Sequence, residues 1–244
     1  MSTEERTAKF SQVGADVKNM NLFSRTFLSL QDKGLRRTFQ SVASIVEDVF
    51  FEFRYGVKTL QEKTLDELEI DGENLDDSED YMATRGRPFC KLIESLDLPR
   101  DSVFVDLGSG MGKVLMLTAG YSFAEIKGIE FSKELCEIAE KNLTSFKKRS
   151  GKGENVEIIH TDAAKYEMTG GENVFFLYNS FHKIVLQKVL QNLKASLEER
   201  PRKVWLLYSN AKDAAFVESD GLFRKERRFT YGGSDFDIFT TESN

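Results

Sequence analysis

The chain of 244 residues carries 34 basic and 40 acidic side chains, and its net charge of −6 disfavours a bulk electrostatic grip on nucleic acid. Apolar residues make up 40% of the chain, including 20 Phe, which excludes disorder over most of its length. Two cysteines provide no disulfide framework, and no apolar run is long enough to cross a bilayer. The polar start, MSTEERTAKF, is no secretory signal, so we expect a cytoplasmic protein without a membrane partner.

The first part of the chain predicts a helical extension followed by an acidic connector. Apolar residues recur every three or four positions between Leu35 and Phe53, which indicates one face of a helix, and Gly56 is expected to end it. Residues 60–80 are acidic and contain an Asp-Gly turn signal, so we interpret them as a connector. We therefore assign residues 1–76 to a helical N-terminal extension and residues 77–244 to the main domain.

The main domain alternates short apolar strands with helices. Its predicted strands are Val103–Leu107, Ile126–Glu130, Val156–His160, Val174–Tyr178 and Val204–Tyr208. Its predicted helices are Arg87–Leu96, Gly112–Gly120, Lys133–Lys148 and Lys183–Leu197. Because Leu222–Phe229 and Phe236–Thr240 flank the turn signal TYGGS, we expect the chain to finish as an antiparallel hairpin. The pattern predicts an α/β fold with a doubly wound, mostly parallel sheet that is covered by helices on both faces.

The stretch VFVDLGSGMGKVL, residues 103–115, places three glycines at alternate positions after an acid that ends a strand. The acid is Asp106, and the glycines are Gly108, Gly110 and Gly112. A phosphate-binding P-loop is excluded, because it needs a glycine where this chain has Leu107 and a Ser or Thr where it has Val114. A dinucleotide site is disfavoured, because its glycine spacing is G-x-G-x-x-G and because Asp106 would repel a pyrophosphate.

A zwitterionic ligand with an ammonium group fits this loop better. Asp106 can attract the ammonium group and the loop amides can receive a carboxylate, and S-adenosylmethionine carries both groups. Glu130 closes the second strand, where a carboxylate can accept both hydroxyls of a ribose. Asp162 closes the third strand, where it can accept from an adenine amino group or merely cap the turn that follows. A tight turn without a ligand is the alternative, although three glycines cost conformational entropy that a plain turn does not require.

The glycine loop, the two further acids and the terminal hairpin resemble the class I S-adenosylmethionine-dependent methyltransferases over about residues 81–241. A closer likeness is to poorly characterised bacterial methyltransferase-domain proteins with the pattern FVDLGSGKG, GVE and FLYNPF. The matching pieces here are Tyr55–Thr59, Tyr81–Phe89 and Phe176–Phe181. The resemblance implies a Rossmann-like methyltransferase fold with a seven-stranded sheet. It also implies an enzyme that binds S-adenosyl-L-methionine and releases S-adenosyl-L-homocysteine.

The resemblance also implies which residues bind the cofactor and which face the methyl acceptor. The expected cofactor-binding residues are Tyr81, Arg85, Asp106, Gly108, Ser109, Gly110, Gly112, Glu130, Phe131, Asp162, Ala163 and Asn179. The expected catalytic residues are Tyr178, Asn179, Phe181 and His182. Some amino-directed methyltransferases carry Asn-Pro-Pro-Tyr at this point, and this chain has Asn179 but lacks the proline. His182 is the candidate general base, and Phe181 is expected to pack near the sulfonium.

The sequence leaves the acceptor open between an amine, another small molecule and a protein lysine. A non-enzymatic module that binds S-adenosylmethionine is the first alternative, in which these residues serve regulation or interaction. An NAD-dependent oxidoreductase is the second alternative, and the glycine spacing disfavours it. We expect no metal site, because the sequence has no Cys/His cluster with metal-ligand spacing.

Overall fold

The structure is a computed structural model that describes residues 35–60, 83–178 and 183–241. Its α-helices are α1 (Leu35–Tyr55), α2 (Gly86–Glu94), α3 (Lys113–Thr118), α4 (Lys133–Ser150), α5 (Lys183–Glu199) and α6 (Ala214–Ser219). Its strands are β1 (Val103–Leu107), β2 (Glu125–Glu130), β3 (Val156–His160), β4 (Glu172–Tyr178), β5 (Trp205–Ser209), β6 (Arg224–Tyr231) and β7 (Ser234–Thr240). A short 3₁₀ turn covers Ala163–Lys165.

The described strands form one seven-stranded sheet in the order β3-β2-β1-β4-β5-β7-β6. Strands β1 to β5 run parallel, whereas β7 pairs antiparallel with both β5 and β6. The turn of this last hairpin contains Gly232 and Gly233, whose φ angles of 58° and 82° suit glycine. The predicted α/β fold with a mostly parallel sheet and a terminal antiparallel hairpin is therefore confirmed. Strand ends differ from the prediction by up to two residues, and α6 is too short for apolar periodicity to indicate it.

Strand β1 lies inside the sheet, and all of its residues are buried. Because side chains alternate between the two faces of a strand, Val105 and Leu107 pack on the face that α5 covers. Phe104 packs on the other face, together with α2. There the ring of Phe89 lies 5.1 Å from the ring of Phe176 in an edge-to-face contact. Burial on two faces explains why the parallel strands read as continuous apolar runs.

A buried carboxylate organises the amino-terminal end of β4. The Glu172 side chain is fully buried, and its Oε1 accepts from Lys127 Nζ at 3.0 Å, Tyr166 Oη at 3.0 Å and Thr169 Oγ1 at 2.7 Å. Its Oε2 accepts from the Gly170 amide at 3.0 Å. Burial alone would raise the pKa of Glu172, but these hydrogen bonds outweigh it and lower the pKa to about 2.

This network makes the stability of the protein depend on acid pH. Because the folded pKa of Glu172 is depressed, its contribution is present above the ordinary pKa of 4.5 and is lost as the pH falls towards about 2. The contribution is about 3 kcal/mol at neutral pH, and urea unfolding at pH 7 and pH 3 measures the part that is lost by pH 3, which is about 2 kcal/mol. We expect E172Q to lower the free energy of unfolding at pH 7 and to weaken its dependence on pH. The exposed neighbour Glu167 supplies the control, since E167Q should change neither quantity; equal behaviour of the two variants would contradict the prediction.

Candidate functional site

The glycine loop between β1 and α3 lies at the carboxyl edge of the sheet. The amides of Gly108 and Ser109 both donate to the carbonyl of Ile129 in β2, at 2.9 and 3.0 Å. Gly112 ends the loop with a φ angle of 80°, and a Cβ atom there would lie 3.3 Å from the Cβ of Ala139. Glycine is required at this position both by the left-handed backbone and by the close approach of α4. The loop is therefore held against the end of the neighbouring strand.

Asp106 is the acid that precedes this loop, and its side chain is almost fully buried. Within the described parts of the chain, no hydrogen-bond donor contacts its carboxylate. Burial raises the pKa of Asp106 well above its ordinary value, and the nearby Glu130 carboxylate raises it further. A buried carboxylate without a donor is costly unless a cationic group binds it. The arrangement therefore favours a ligand that brings a positive charge to this point.

Glu130 at the end of β2 connects the glycine loop to α4. Its Oε2 accepts from the Gly110 amide at 2.8 Å, and its Oε1 accepts from the Ser132 amide at 2.9 Å. Ser132 in turn caps α4, because its hydroxyl accepts from the Leu135 amide at 3.3 Å. Burial raises the pKa of Glu130, and backbone hydrogen bonds from Ser132, Gly110 and Phe131 oppose that rise. Because the two oxygens of a carboxylate can together accept about four hydrogen bonds, Glu130 can also accept from a hydroxyl of a ligand.

Ser109, in the middle of the loop, provides an orphaned polar group. Its hydroxyl is buried and has no hydrogen-bond partner among the residues that the structure describes. The loop packs so closely on β2 that a Cβ atom at Gly128 would lie 2.8 Å from Ser109 Oγ. A buried hydroxyl without a partner is unfavourable, so Ser109 is a group whose partner is not among the described residues.

Asp162 follows β3 and caps the short 3₁₀ turn. Its Oδ1 accepts from the Ala164 amide at 2.8 Å, so the capping role that the sequence allowed is present. The position still lies at the same sheet edge as Asp106 and Glu130, and its adenine-binding role stays a prediction. Ala163, the first residue of this turn, is buried. The carbonyl of Phe131 lies 2.9 Å from His160 Nε2, a contact that links the ends of β2 and β3.

The remaining predicted residues either make contacts within the protein or lie outside the described residues. Arg85 lies just before α2, and its Nη1 donates to Ser41 Oγ and, at 3.3 Å, to the carbonyl of Gly232. Its role at a ligand carboxylate therefore stays a prediction. Tyr178 is half-buried at the end of β4 and packs on the core beside α2, and its catalytic role is also a prediction. Tyr81, Asn179, Phe181 and His182 lie outside the described residues.

A feature that the sequence reasoning missed is the attachment of α1 to the glycine loop. Lys113 directly follows the loop, and its Nζ lies 2.8 Å from Asp48 Oδ1 of α1. Both side chains are at most 7% exposed. The same Asp48 oxygen accepts from the Gly86 amide at 3.0 Å, which ties α1 to the start of α2 as well. Burial lowers the pKa of Lys113, while the Asp48 carboxylate opposes that shift.

A second connection runs from the segment after α1 to the loop. Asn142 of α4 accepts from the Lys58 amide through Oδ1 at 2.8 Å and donates through Nδ2 to the Lys58 carbonyl at 2.8 Å. The same Nδ2 donates to the carbonyl of Met111, inside the loop, at 3.0 Å. Nearby, Glu52 Oε1 accepts from the Leu60 amide at 2.8 Å. Helix α1 and the segment after it are thus joined to the carboxyl edge of the sheet by buried and partly buried polar contacts.

Comparisons with known proteins show which families and folds this chain resembles. A family model described as "Histone methylation protein DOT1" matches residues 84–195, a stretch that begins just before α2 and ends within α5. A solved RNA methyltransferase from Salinibacter ruber, in complex with S-adenosyl-L-homocysteine, covers 67% of this chain and 95% of its own, with 20% identity and a TM-score of 0.51. The chain therefore has the Rossmann-like fold of the class I S-adenosylmethionine-dependent methyltransferases. The more specific likeness to bacterial methyltransferase-domain proteins stays a prediction.

Two further proteins resemble this chain, one over a short stretch of sequence and the other in overall structure. "Histone-lysine N-methyltransferase, H3 lysine-79 specific", from Caenorhabditis elegans, is 34% identical over 88 residues, which span 33% of this chain and 9% of the relative. A SAM dependent methyltransferase from Aquifex aeolicus covers 62% of this chain and 87% of its own at 15% identity, with a TM-score of 0.49. This chain therefore matches only a small part of the curated relative.

The cofactor of this superfamily is S-adenosylmethionine, and the described residues fit it. The Asp106 carboxylate, which accepts no hydrogen bond from the described residues, suits the ammonium group. The loop amides suit the carboxylate of the methionine part, and Glu130 suits the ribose. Among the described residues, no cluster of His, Cys, Asp and Glu has the arrangement of a metal site. None of the described helices is both long and apolar enough to cross a membrane.

Proposed function

We propose that this protein is an enzyme that transfers the methyl group of S-adenosylmethionine to the side-chain amine of a lysine in a protein. The observation that carries the proposal is the match to the DOT1 family over residues 84–195, since that stretch contains the entire glycine loop and both further acids. The curated relative that aligns with this chain is described as acting on lysine 79 of histone H3. A lysine amine is therefore favoured over the small-molecule acceptors that the sequence left open.

The residues of this chain contribute mainly binding and orientation. When bound, the cofactor supplies a methyl group activated by its sulfonium. Asp106 would hold the ammonium end and Glu130 would hold the ribose, so the ligand would be fixed at two points against a rigid sheet edge. Methyl transfer is an in-line displacement, and its rate depends on the alignment of the acceptor amine with that methyl group. Tyr178 and Asn179 lie at the end of β4 in the sequence and are the candidate residues for orienting the acceptor.

The decisive experiment is methyl transfer from labelled S-adenosylmethionine. The purified protein is incubated with the labelled cofactor and with core histones, total cell protein or total cell RNA as separate acceptors. We expect label in a protein fraction that protease removes, and acid hydrolysis should release methylated lysine. D106N provides the inactive control.

Each of the other outcomes would support a different function. Label in the RNA fraction alone would contradict a protein acceptor, and methylated arginine would contradict lysine. Calorimetric binding of S-adenosylhomocysteine without transfer to any fraction would favour the non-enzymatic binding module. Binding of NAD in place of S-adenosylhomocysteine would contradict the whole proposal.

A further inference from the structure

Helix α1 presents an apolar stripe to solvent, whereas its side that faces the protein combines polar groups with the half-buried rings of Phe51 and Tyr55, which pack on Phe146 of α4. The exposed apolar side chains recur every three or four residues and are Val42, Val46, Val49, Phe50 and Phe53, of which Phe53 is 81% exposed. We call these five residues the α1 stripe. The opposite side of the helix carries Ser41, Asp48 and Glu52, which contact Arg85, Lys113 and the amide of Leu60, respectively. The apolar stripe of a surface helix ordinarily faces the protein core, so we expect another segment or molecule to pack on the α1 stripe.

The chain itself contains a matching segment immediately before α1. The structure describes the chain from Leu35, the first residue of α1, and 34 residues precede it. Within them the apolar residues recur at helical spacing, as Val13, Val17, Met20, Phe23, Phe27 and Leu30. Residues 31–34, Gln-Asp-Lys-Gly, separate this pattern from α1. A four-residue connection of this kind commonly joins two antiparallel helices.

The two apolar patterns are in register with each other. In an antiparallel hairpin that turns at Lys33, positions equally far from Lys33 face one another. Val17 is then opposite Val49, and Met20 is opposite Val46. Val13 is likewise opposite Phe53, the most exposed member of the stripe. This register places the centre of the turn at Lys33, within the four-residue connection.

From this register we infer that residues 13–30 form an amphipathic helix that packs antiparallel on the α1 stripe. The short connection favours this segment over a second copy of the chain, because tethering gives it a millimolar effective concentration. The covering helix would hold α1 against the domain and so support the contact of Asp48 with Lys113 beside the glycine loop. The inference does not depend on which acceptor the enzyme methylates.

Cysteine pairs in the full-length chain test this packing. In a C90S background, in which the other native cysteine, Cys136, is buried, the pairs V17C/V49C and M20C/V46C are oxidised mildly. We expect both pairs to form an intrachain disulfide, seen as a faster-migrating monomer on a non-reducing gel. The matched control is A15C/V49C, which has nearly the same sequence separation but places one cysteine on the far side of the proposed helix.

The pattern of disulfides on the gel distinguishes this packing from packing by a second copy of the chain and from a stripe that faces solvent. Intrachain disulfides in the two test pairs, but not in the control, support the inference. Disulfide-linked dimers would overturn it in favour of a second copy of the chain. Equal crosslinking of A15C/V49C would overturn the proposed register. Rapid maleimide labelling of V49C in the reduced monomer, with no crosslinks, would overturn the inference because the stripe would then face solvent.

Discussion

D106N should bind S-adenosylhomocysteine at least about 30-fold more weakly than the wild type, yet the cofactor-free variant should be more stable at neutral pH. The loss of affinity follows because the Asp106 carboxylate is the buried group that meets the ammonium end of the cofactor. Removing one partner of such a charge pair costs about 2 kcal/mol or more. Titration calorimetry measures the affinity, and urea unfolding of the cofactor-free protein measures the free energy of unfolding.

The gain in stability follows from the raised pKa of Asp106. Below the ordinary carboxyl pKa the residue is protonated in both the folded and the unfolded state, so it causes no penalty. As the pH rises towards the raised folded pKa, the unfolded state ionises and the folded state does not, and stability falls. Each unit by which burial raises the pKa corresponds to about 1.4 kcal/mol. The advantage of D106N over the wild type should therefore grow between pH 4 and pH 8.

Asp237 supplies a matched control, because its replacement should change the free energy of unfolding in the opposite direction. It is also a buried aspartate at a strand position, but its carboxylate accepts from Arg228 at 2.6 Å and from Lys225 at 2.8 Å. Burial would raise the pKa of Asp237, and these two donors lower it instead. D237N should therefore destabilise the protein at pH 7, and that loss should shrink as the pH falls. A destabilised D106N, or unchanged affinity for S-adenosylhomocysteine, would contradict the assignment of Asp106.

Much of the sheet and of its ligand-binding edge was predictable because both depend on local sequence pattern. The strands from Val103 and Val156 match their predicted bounds, since each is an apolar run between clear turn signals. The carboxyl ends of parallel strands meet at one edge, so the glycine loop and the acids after successive strands could be assigned to one site. The doubt over Asp162 was also justified, because the structure shows it capping the turn.

The polar contacts of α1 were not predictable by the same means. Apolar periodicity correctly indicated a helix, but it did not indicate which side of that helix faces the domain. The stripe of Val42, Val46 and Val49 is exposed, whereas Asp48 is buried. A buried ion pair between residues far apart in the chain leaves no pattern in the local sequence. Lys113 by itself looks like the ordinary first residue of a helix. Only the tertiary structure brings it to Asp48.

Replacing Asp48 with alanine should lower the free energy of unfolding by about 3–5 kcal/mol, the usual cost of leaving one partner of a buried ion pair without the other. D48A leaves the Lys113 ammonium buried and removes the acceptor of the Gly86 amide. Because Lys113 follows the glycine loop directly, affinity for S-adenosylhomocysteine should also fall. The nearby pair of Glu47 and Arg87 also joins α1 to α2, but its side chains are 49% and 38% exposed. E47A should therefore cost at most about 1 kcal/mol.

The double variant D48N/K113M separates the charge from the shape of this contact. The asparagine side chain of D48N would keep an oxygen for the Gly86 amide, and the methionine side chain of K113M would fill the space of the lysine stem without a charge. Desolvating two charges offsets most of the attraction between them, so an apolar replacement of similar volume is often neutral or even stabilising. We expect the double variant to be more stable than the sum of D48N and K113M implies, by about 1–3 kcal/mol in denaturant unfolding. Additive losses would show that Asp48 and Lys113 act independently, and the ion pair would then not be what holds α1 to the cofactor edge.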